Sequence, residues 1–263
     1  MVVESQNQNI IQIKKLSKTY NEGKNNEILN IVSDVNLEIK KGEFFILLGP
    51  SGCGKSTLLN IIAGFINRST GSLLIDNKEI TKPGRDRGVV FQNADAAIFP
   101  WRTVQENVEF GLKLSGIKAK DRKKVADEYI KLVGLDNHAN KYPDELSGGM
   151  KQRVQLARVL ANDSEILIMD EPFGALDAQT RHIMQKELIR IWSQTNKTVI
   201  FVTHDIQEAI LLGQRIGIMS FSPNSTIYKI YDIKLSYPRN DTDQEFISLY
   251  SNLQTHFDYG AGI

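Results

Sequence analysis

Eight residues, GPSGCGKS from Gly49 to Ser56, follow the spacing G-x-x-x-x-G-K-[ST]. That spacing suits one task, the wrapping of a polyphosphate by backbone N–H groups. Lys55 is the residue that would neutralise β and γ phosphates and Ser56 the one that would ligate Mg²⁺, while the amides from Gly52 to Thr57 would point donors at the anion from a helix N-terminus. From typical composition, the four fixed positions recur by chance in a chain this long on the order of 1% of the time.

Two further stretches carry chemistry. ILIMDE, Ile166 to Glu171, is an apolar run that stops at two acids. On a strand this sets both carboxylates at the C-terminal edge of a sheet, where α/β proteins bind ligands. Asp170 suits Mg²⁺, directly or through water, and Glu171 suits the general base that accepts a proton from a water attacking a γ phosphate. LSGGMKQRVQLARVL, Leu146 to Leu160, opens a helix with Ser147, Gly148 and Gly149. Such a start is either a plain N-cap or a second anion site.

These residues need an α/β frame. EFFILLG reads as a buried strand leading into the glycine loop, and KSTLLNIIAGF as the helix after it, with Leu58, Ile61 and Ile62 at helical spacing. IIQIKKL and VNLEIKK read as earlier strands, and GSLLID and GVVFQ as short ones split by the turn-rich KPGRDRG. From Thr103 to about Leu135 the apolar spacing turns to three and four residues, which predicts an inserted helical lobe. Alternation then resumes with EILIMD, a helix over about Ala178–Ser193, TVIFVTH, a helix from Asp205, and RIGIMS. The tail reads as a last strand pair and one terminal helix.

Composition narrows the function. Of 263 residues 41% are hydrophobic, enough for a sizeable core, and 32 Lys+Arg against 31 Asp+Glu leave a net charge of +1. No global basic field argues for nucleic acid. A single cysteine, Cys53, forms no internal disulfide, and the first residues lack the order of a secretory signal, so a reducing intracellular setting is expected. No apolar run reaches the roughly 18 to 20 residues of a membrane span.

GPSGCGKST, VVFQ, LSGGMKQR, ILIMDEPFGALD and VTHD occur in the order found in the nucleotide-binding subunits of ABC transporters, and the resemblance covers nearly the whole chain. It implies an α/β fold: a P-loop NTPase core with a mostly parallel sheet, an N-terminal antiparallel β portion and an inserted helical lobe. The core would span about 1–92 and 162–235, the lobe about 93–161, and a C-terminal helical tail about 236–263.

Residue by residue, the resemblance gives ATP to Gly49, Pro50, Ser51, Gly52, Cys53, Gly54, Lys55, Ser56 and Thr57, with Tyr20 of LSKTYN stacking on adenine. Cys53 sits at a variable loop position and reads as a spacer. Gln92 would sense Mg²⁺ and the attacking water, and His204 would contact the γ phosphate. With Glu171 and Lys55 they form the catalytic set; Ser56, Gln92 and Asp170 form the metal set. Ala175, Leu176 and Asp177 lie in the D-loop. Leu146, Ser147, Gly148, Gly149 and Met150 would face the ATP of a second subunit, so two chains would pair head to tail. Taken alone, His204 is a structural histidine and Tyr20 a cover for a core edge; their occurrence in register with the other motifs favours function. His138, His182 and His256 show no ligand spacing.

KPGRDRGVVFQ, IFPWRTVQENV and the later YPRN resemble importers of the nitrate, sulfonate, taurine and thiamine-precursor group. Here NADAAIFPW is one residue longer after the glutamine than the usual form. The resemblance implies an ATPase on the cytoplasmic face of the cell membrane, working with separate permease subunits and, indirectly, an extracytoplasmic substrate-binding protein. Phe99 and Trp101 either pack within the lobe or form the groove for a permease helix. A soluble ABC ATPase acting on nucleic acid or ribosomes is the competing reading, but no inserted coiled coil or second cassette supports it.

Overall fold

The computed structural model describes residues 8–22 and 27–260. By internal contacts the chain forms two compact units, 1–84 with 196–263 and 85–195.

In the first unit, β1 (Asn9–Glu22) pairs antiparallel with β2 (Glu27–Lys40) on one side and with β4 (Thr70–Ile75) on the other, and the two-residue β5 (Lys78–Glu79) completes a sheet of order β2-β1-β4-β5. This is the antiparallel portion expected from the sequence. Ile11, Ile13 and Leu16 of β1 and Val35, Leu37 and Ile39 of β2 are buried, the alternation that one covered face requires. Where β1 leaves register, between Lys14 and Ser17, Lys15 takes a φ of 47° and Gly71 of β4 a φ of 80°. A bulge of this kind needs a residue without a side chain opposite it.

The same unit holds β3 (Phe44–Leu48), which runs parallel to β8 (Thr198–Thr203) and to β9 (Arg215–Met219). All five residues of β3 are buried, as a strand with partners on both edges and cover on both faces must be. At 1.5–3 kcal/mol for each large apolar side chain removed from water, this strand is a main source of cohesion. α1 (Lys55–Ala63) follows it, bounded by Gly54 and Gly64 in the left-handed region, and α7 (Ile206–Leu212) follows β8. The tail departs from expectation. It gives one strand, β10 (Ile227–Asp232), which pairs antiparallel with β9, and then α8 (Gln244–Gly260).

In the second unit, β6 (Arg87–Val90) and β7 (Ile166–Asp170) form a parallel pair. Between them lie α2 (Ala94–Ala97), α3 (Val104–Leu114), α4 (Ala119–Leu132) and α5 (Gly148–Ala161), and α6 (Ala178–Thr195) follows β7. α3 and α4 match the helical stretch expected from Thr103 to about Leu135, broken at Ser115–Lys118, whereas α2 was not expected. Thr103 closes a capping box with Glu106 at the start of α3, which satisfies two orphan donors at once. The contact division falls at 84/85 and 195/196, whereas the motif-based core and lobe would divide at 92/93 and 161/162. The difference is β6, β7 and α6, which group with the helices they pack on or follow.

Gly71→Ala tests the bulge. A Cβ there would overlap the Lys15 carbonyl and would carry a left-handed φ besides. The variant is expected to lose about 2–4 kcal/mol of stability, read by denaturant melting.

Candidate functional site

In the first unit the glycine loop spans the end of β3 and the start of α1. Gly52 and Gly54 have φ of 80° and 94°, conformations that side chains resist. Lys55 is buried, and its Nζ donates to the carbonyl oxygens of Gly49 and Pro50, each at 2.7 Å. The loop thus folds back around its own cation, and Lys55 is aimed by its own backbone. Ser51, Gly52 and Ser56 are exposed, Pro50, Gly54 and Thr57 half-buried. Cys53 is fully buried, and burial pushes its thiol above the ordinary value. A thiol in that state is a poor nucleophile, in keeping with a spacer.

The parallel register brings a second group to the same edge. Leu48 pairs with Thr203, so His204, exposed, emerges beside the strand end from which the loop departs. Asp205 caps α7 by accepting from Glu208 N at 3.1 Å. Tyr20 lies on β1 and is 40% exposed, with Lys18 Nζ 4.7 Å from its ring centre. A ring this open is not core cover. Among the other histidines, His256 packs against β10, its Nε2 2.7 Å from Lys229 Nζ.

In the second unit the pairing of Val90 with Met169 sends Gln92 and the acids out of one edge together. Gln92 Nε2 donates to Glu171 Oε2 at 3.3 Å. Glu171 has a φ of 43°, a strained conformation costing of order 1–3 kcal/mol. Its carbonyl accepts from Gly174 N at 3.1 Å, and buried Pro172 and Phe173 hold the turn. Asp170 stands half-buried at the last position of β7. After Gln92 comes α2, a single turn capped by Asn93.

Leu146 is buried, and Ser147 caps α5 by accepting from Met150 N at 3.3 Å. The two glycines differ. A Cβ on Gly148 would meet nothing within 4 Å, whereas one on Gly149 would lie 3.2 Å from the Ala175 carbonyl oxygen and 3.3 Å from Leu176 Cδ2. Gly149 therefore lets α5 sit against Ala175 and Leu176, and Gly148 leaves an open face. Asp177 accepts from Thr180 N at 2.9 Å, and its hydrogen bonds to Thr180 hold its carboxyl below the usual range.

Asn107 escapes a motif reading. It is fully buried on the apolar face of α3, accepts from Phe99 N at 2.8 Å and donates to the carbonyls of Phe99, Arg102 and Thr103. A polar residue in step with Val104, Val108 and Leu112 was the only sequence signal for it. It organises the segment that holds Phe99 against Phe110, with ring centres 4.6 Å apart, and leaves Trp101 70% exposed.

Comparison with known proteins identifies the family. A family model described as "ABC transporter" matches residues 32–174. An uncharacterized ABC transporter ATP-binding protein of Methanocaldococcus jannaschii is 48% identical over 237 residues, 90% of this chain and 87% of that protein. The aliphatic sulfonates import ATP-binding protein SsuB of Bacillus thuringiensis subsp. konkukian is 45% identical over 251 residues, covering 95% and 97%. Among solved structures, a dimeric ATP-binding cassette in a post-hydrolysis state with ADP and Pi superimposes with a TM-score of 0.76 at 36% identity, over 86% of this chain and all of that one. On these matches the chain belongs to the ABC transporter ATP-binding family and is an ABC ATPase.

Proposed function

We propose that the chain hydrolyses ATP to ADP and phosphate to power an importer of a small solute of the nitrate, sulfonate, taurine or thiamine-precursor type. The observation that carries this reading is the Gln92–Glu171 hydrogen bond of 3.3 Å at the ends of two parallel strands. It aims a carboxylate and an amide at one small volume, as activation of a water requires. Lys55 neutralises β and γ phosphate charge, the loop amides from Gly49 to Thr57 cradle the phosphates, His204 hydrogen-bonds the γ phosphate, and Tyr20 stacks on adenine. Glu171 accepts the proton of the attacking water.

Mg²⁺ fits the donor set. Among the described residues no group of three or more His, Cys, Asp or Glu side chains could hold a metal ion by itself. Mg²⁺ that arrives on phosphate oxygens and keeps several waters needs only one or two protein oxygens. Ser56 Oγ, the Asp170 carboxylate and Gln92 Oε1 are such hard donors, and the Gln92 amide nitrogen is turned to Glu171. When bound, the ion offsets charge on the γ phosphate.

The signature residues Leu146 to Met150 act on the ATP of a second copy, so that two chains close head to tail over two nucleotides. A relative solved as a dimer with ADP and Pi supports this reading. Closure excludes water and strengthens every charge contact inside, and hydrolysis releases it, a ligand-dependent population shift. The chain works at the cytoplasmic face of separate permease subunits; among its own described residues no helix is long and apolar enough to cross a membrane. The SsuB relatives are named as import ATP-binding proteins, which supports import through a permease fed by a binding protein. Exposed Trp101, 5.7 Å from Phe99, is the anchor for the permease. The near-neutral charge gives no argument for nucleic acid.

Three substitutions test these assignments. Glu171→Gln should keep ATP binding, accumulate an ATP-bound dimer and slow turnover about a hundredfold or more; undiminished turnover would remove Glu171 from the role of base. Ser147→Arg should leave nucleotide binding to the single chain intact and prevent ATP-induced dimers, scored by light scattering; dimers formed as in the parent would refute the shared site. Trp101→Ala should weaken capture of the permease by about 30-fold or more, as loss of an interface anchor does, while the folded chain still binds ATP. Intact capture and coupled transport would exclude docking there.

A further inference from the structure

One contact lies next to Gln92 and has no part in the chemistry above. Gln155, on the second turn of α5, is fully buried. Its Oε1 accepts from Phe91 N at 2.5 Å and its Nε2 donates to Phe91 O at 2.9 Å. One amide side chain thus pairs with both polar groups of the residue before Gln92, much as a neighbouring strand would. Gln152, one turn earlier, adds a donor to the same Phe91 carbonyl at 3.3 Å. On the other side of Gln92, Lys151 pairs with Asp95 at 2.5 Å. Three residues of the signature helix therefore bracket Gln92 from both chain directions.

We infer that Gln155 is a positioning residue that sets Gln92 against Glu171 by clamping the Phe91 backbone, and so ties the signature helix to the hydrolytic pair of its own chain. The inference rests on the proposed role of Gln92 in hydrolysis. Chemistry supports the choice of residue. An amide presents one acceptor and two donors, so it matches an N–H and a C=O together; a carboxylate would oppose the carbonyl and an aliphatic chain would leave both unmet. The long reach matters as well, because Gln155 meets Phe91 just past Val90, the last residue of β6. Loss of the two Gln155 bonds loosens the backbone directly before the side chain that must meet Glu171, and misplacement of a catalytic group is costly.

The test is a double-mutant cycle on the full chain with saturating ATP and Mg²⁺. Gln155→Met, which keeps length and removes both bonds, should lower kcat about 10-fold with KM for ATP little changed. In a Gln92→Ala background the same substitution should lower kcat no further. Gln155→Asn, which keeps the amide and shortens its reach, replaces Gln155→Met if the latter does not fold, with the same expectation. An unchanged kcat, or an equal loss in both backgrounds, would overturn the inference, since a structural role would act with or without Gln92. Full activity of Gln92→Ala alone would instead overturn the role of Gln92, and this inference with it.

Discussion

A buried ammonium constrains the first unit. Lys55 cannot keep its charge out of water without oxygen partners, and the oxygens that meet it are the carbonyls of its own loop, Gly49 and Pro50 at 2.7 Å. To turn those carbonyls inward the backbone must pass through left-handed conformations at Gly52 and Gly54. To hold that turn rigid the strand before it must not move, and β3 is buried along all five residues, with β8 and β9 on its two edges. Within the same loop the Cys53 N–H donates to the Pro50 carbonyl at 3.4 Å. Cation, glycines and strand are thus one device, and loss of any part releases the others.

The second unit meets a related problem with opposite charge. Glu171 holds a left-handed φ of 43° at the end of a buried strand. Such strain persists only where neighbours over-determine it. Here β7 pairs with β6 in parallel register, Pro172 and Phe173 are buried directly after, and the Gly174 N–H bonds back to the Glu171 carbonyl. The strained turn redirects the carboxylate toward the edge where Gln92 emerges. A relaxed extended residue would carry that side chain on along the alternation of the strand.

Legibility in the sequence follows from the range of the interactions. The glycine loop, the strand-end acids and the helical lobe were readable because each depends on neighbours a few residues apart: positive φ on glycine, apolar runs that stop, and three- and four-residue spacing. The clamp on Phe91 was not, since its two partners are 64 residues apart and Gln155 has no local signature except polarity among Val154, Leu156 and Ala157. Asn107 was hidden although its partners lie only 4 to 8 residues away, because nothing but polarity on an apolar face marks it. The tail misled for another reason: TIYKIYDI has the composition of a strand, but its partner β9 is a strand already counted, so one strand appears where a pair was expected. In NADAAIFPW, read as a loop, Asn93 caps a single helical turn.

The start of α5 shows why a structural and a functional reading of one residue need not compete. Ser147 Oγ accepts from Met150 N, an ordinary cap, and taken alone that satisfies the bland account of the serine. An accepting hydroxyl keeps its proton, however, and can donate it outward. The cap fixes the hydroxyl and thereby directs that proton. Gly149 is pressed against Ala175 and Leu176, while Gly148 meets nothing, so one glycine serves packing on the D-loop and the other leaves the helix mouth open. On the proposed reading the open side faces the γ phosphate of another copy. Packing inside one chain then shapes a surface whose ligand another chain carries, and Gln155, two turns further along, makes the same helix answer to the hydrolytic pair at home.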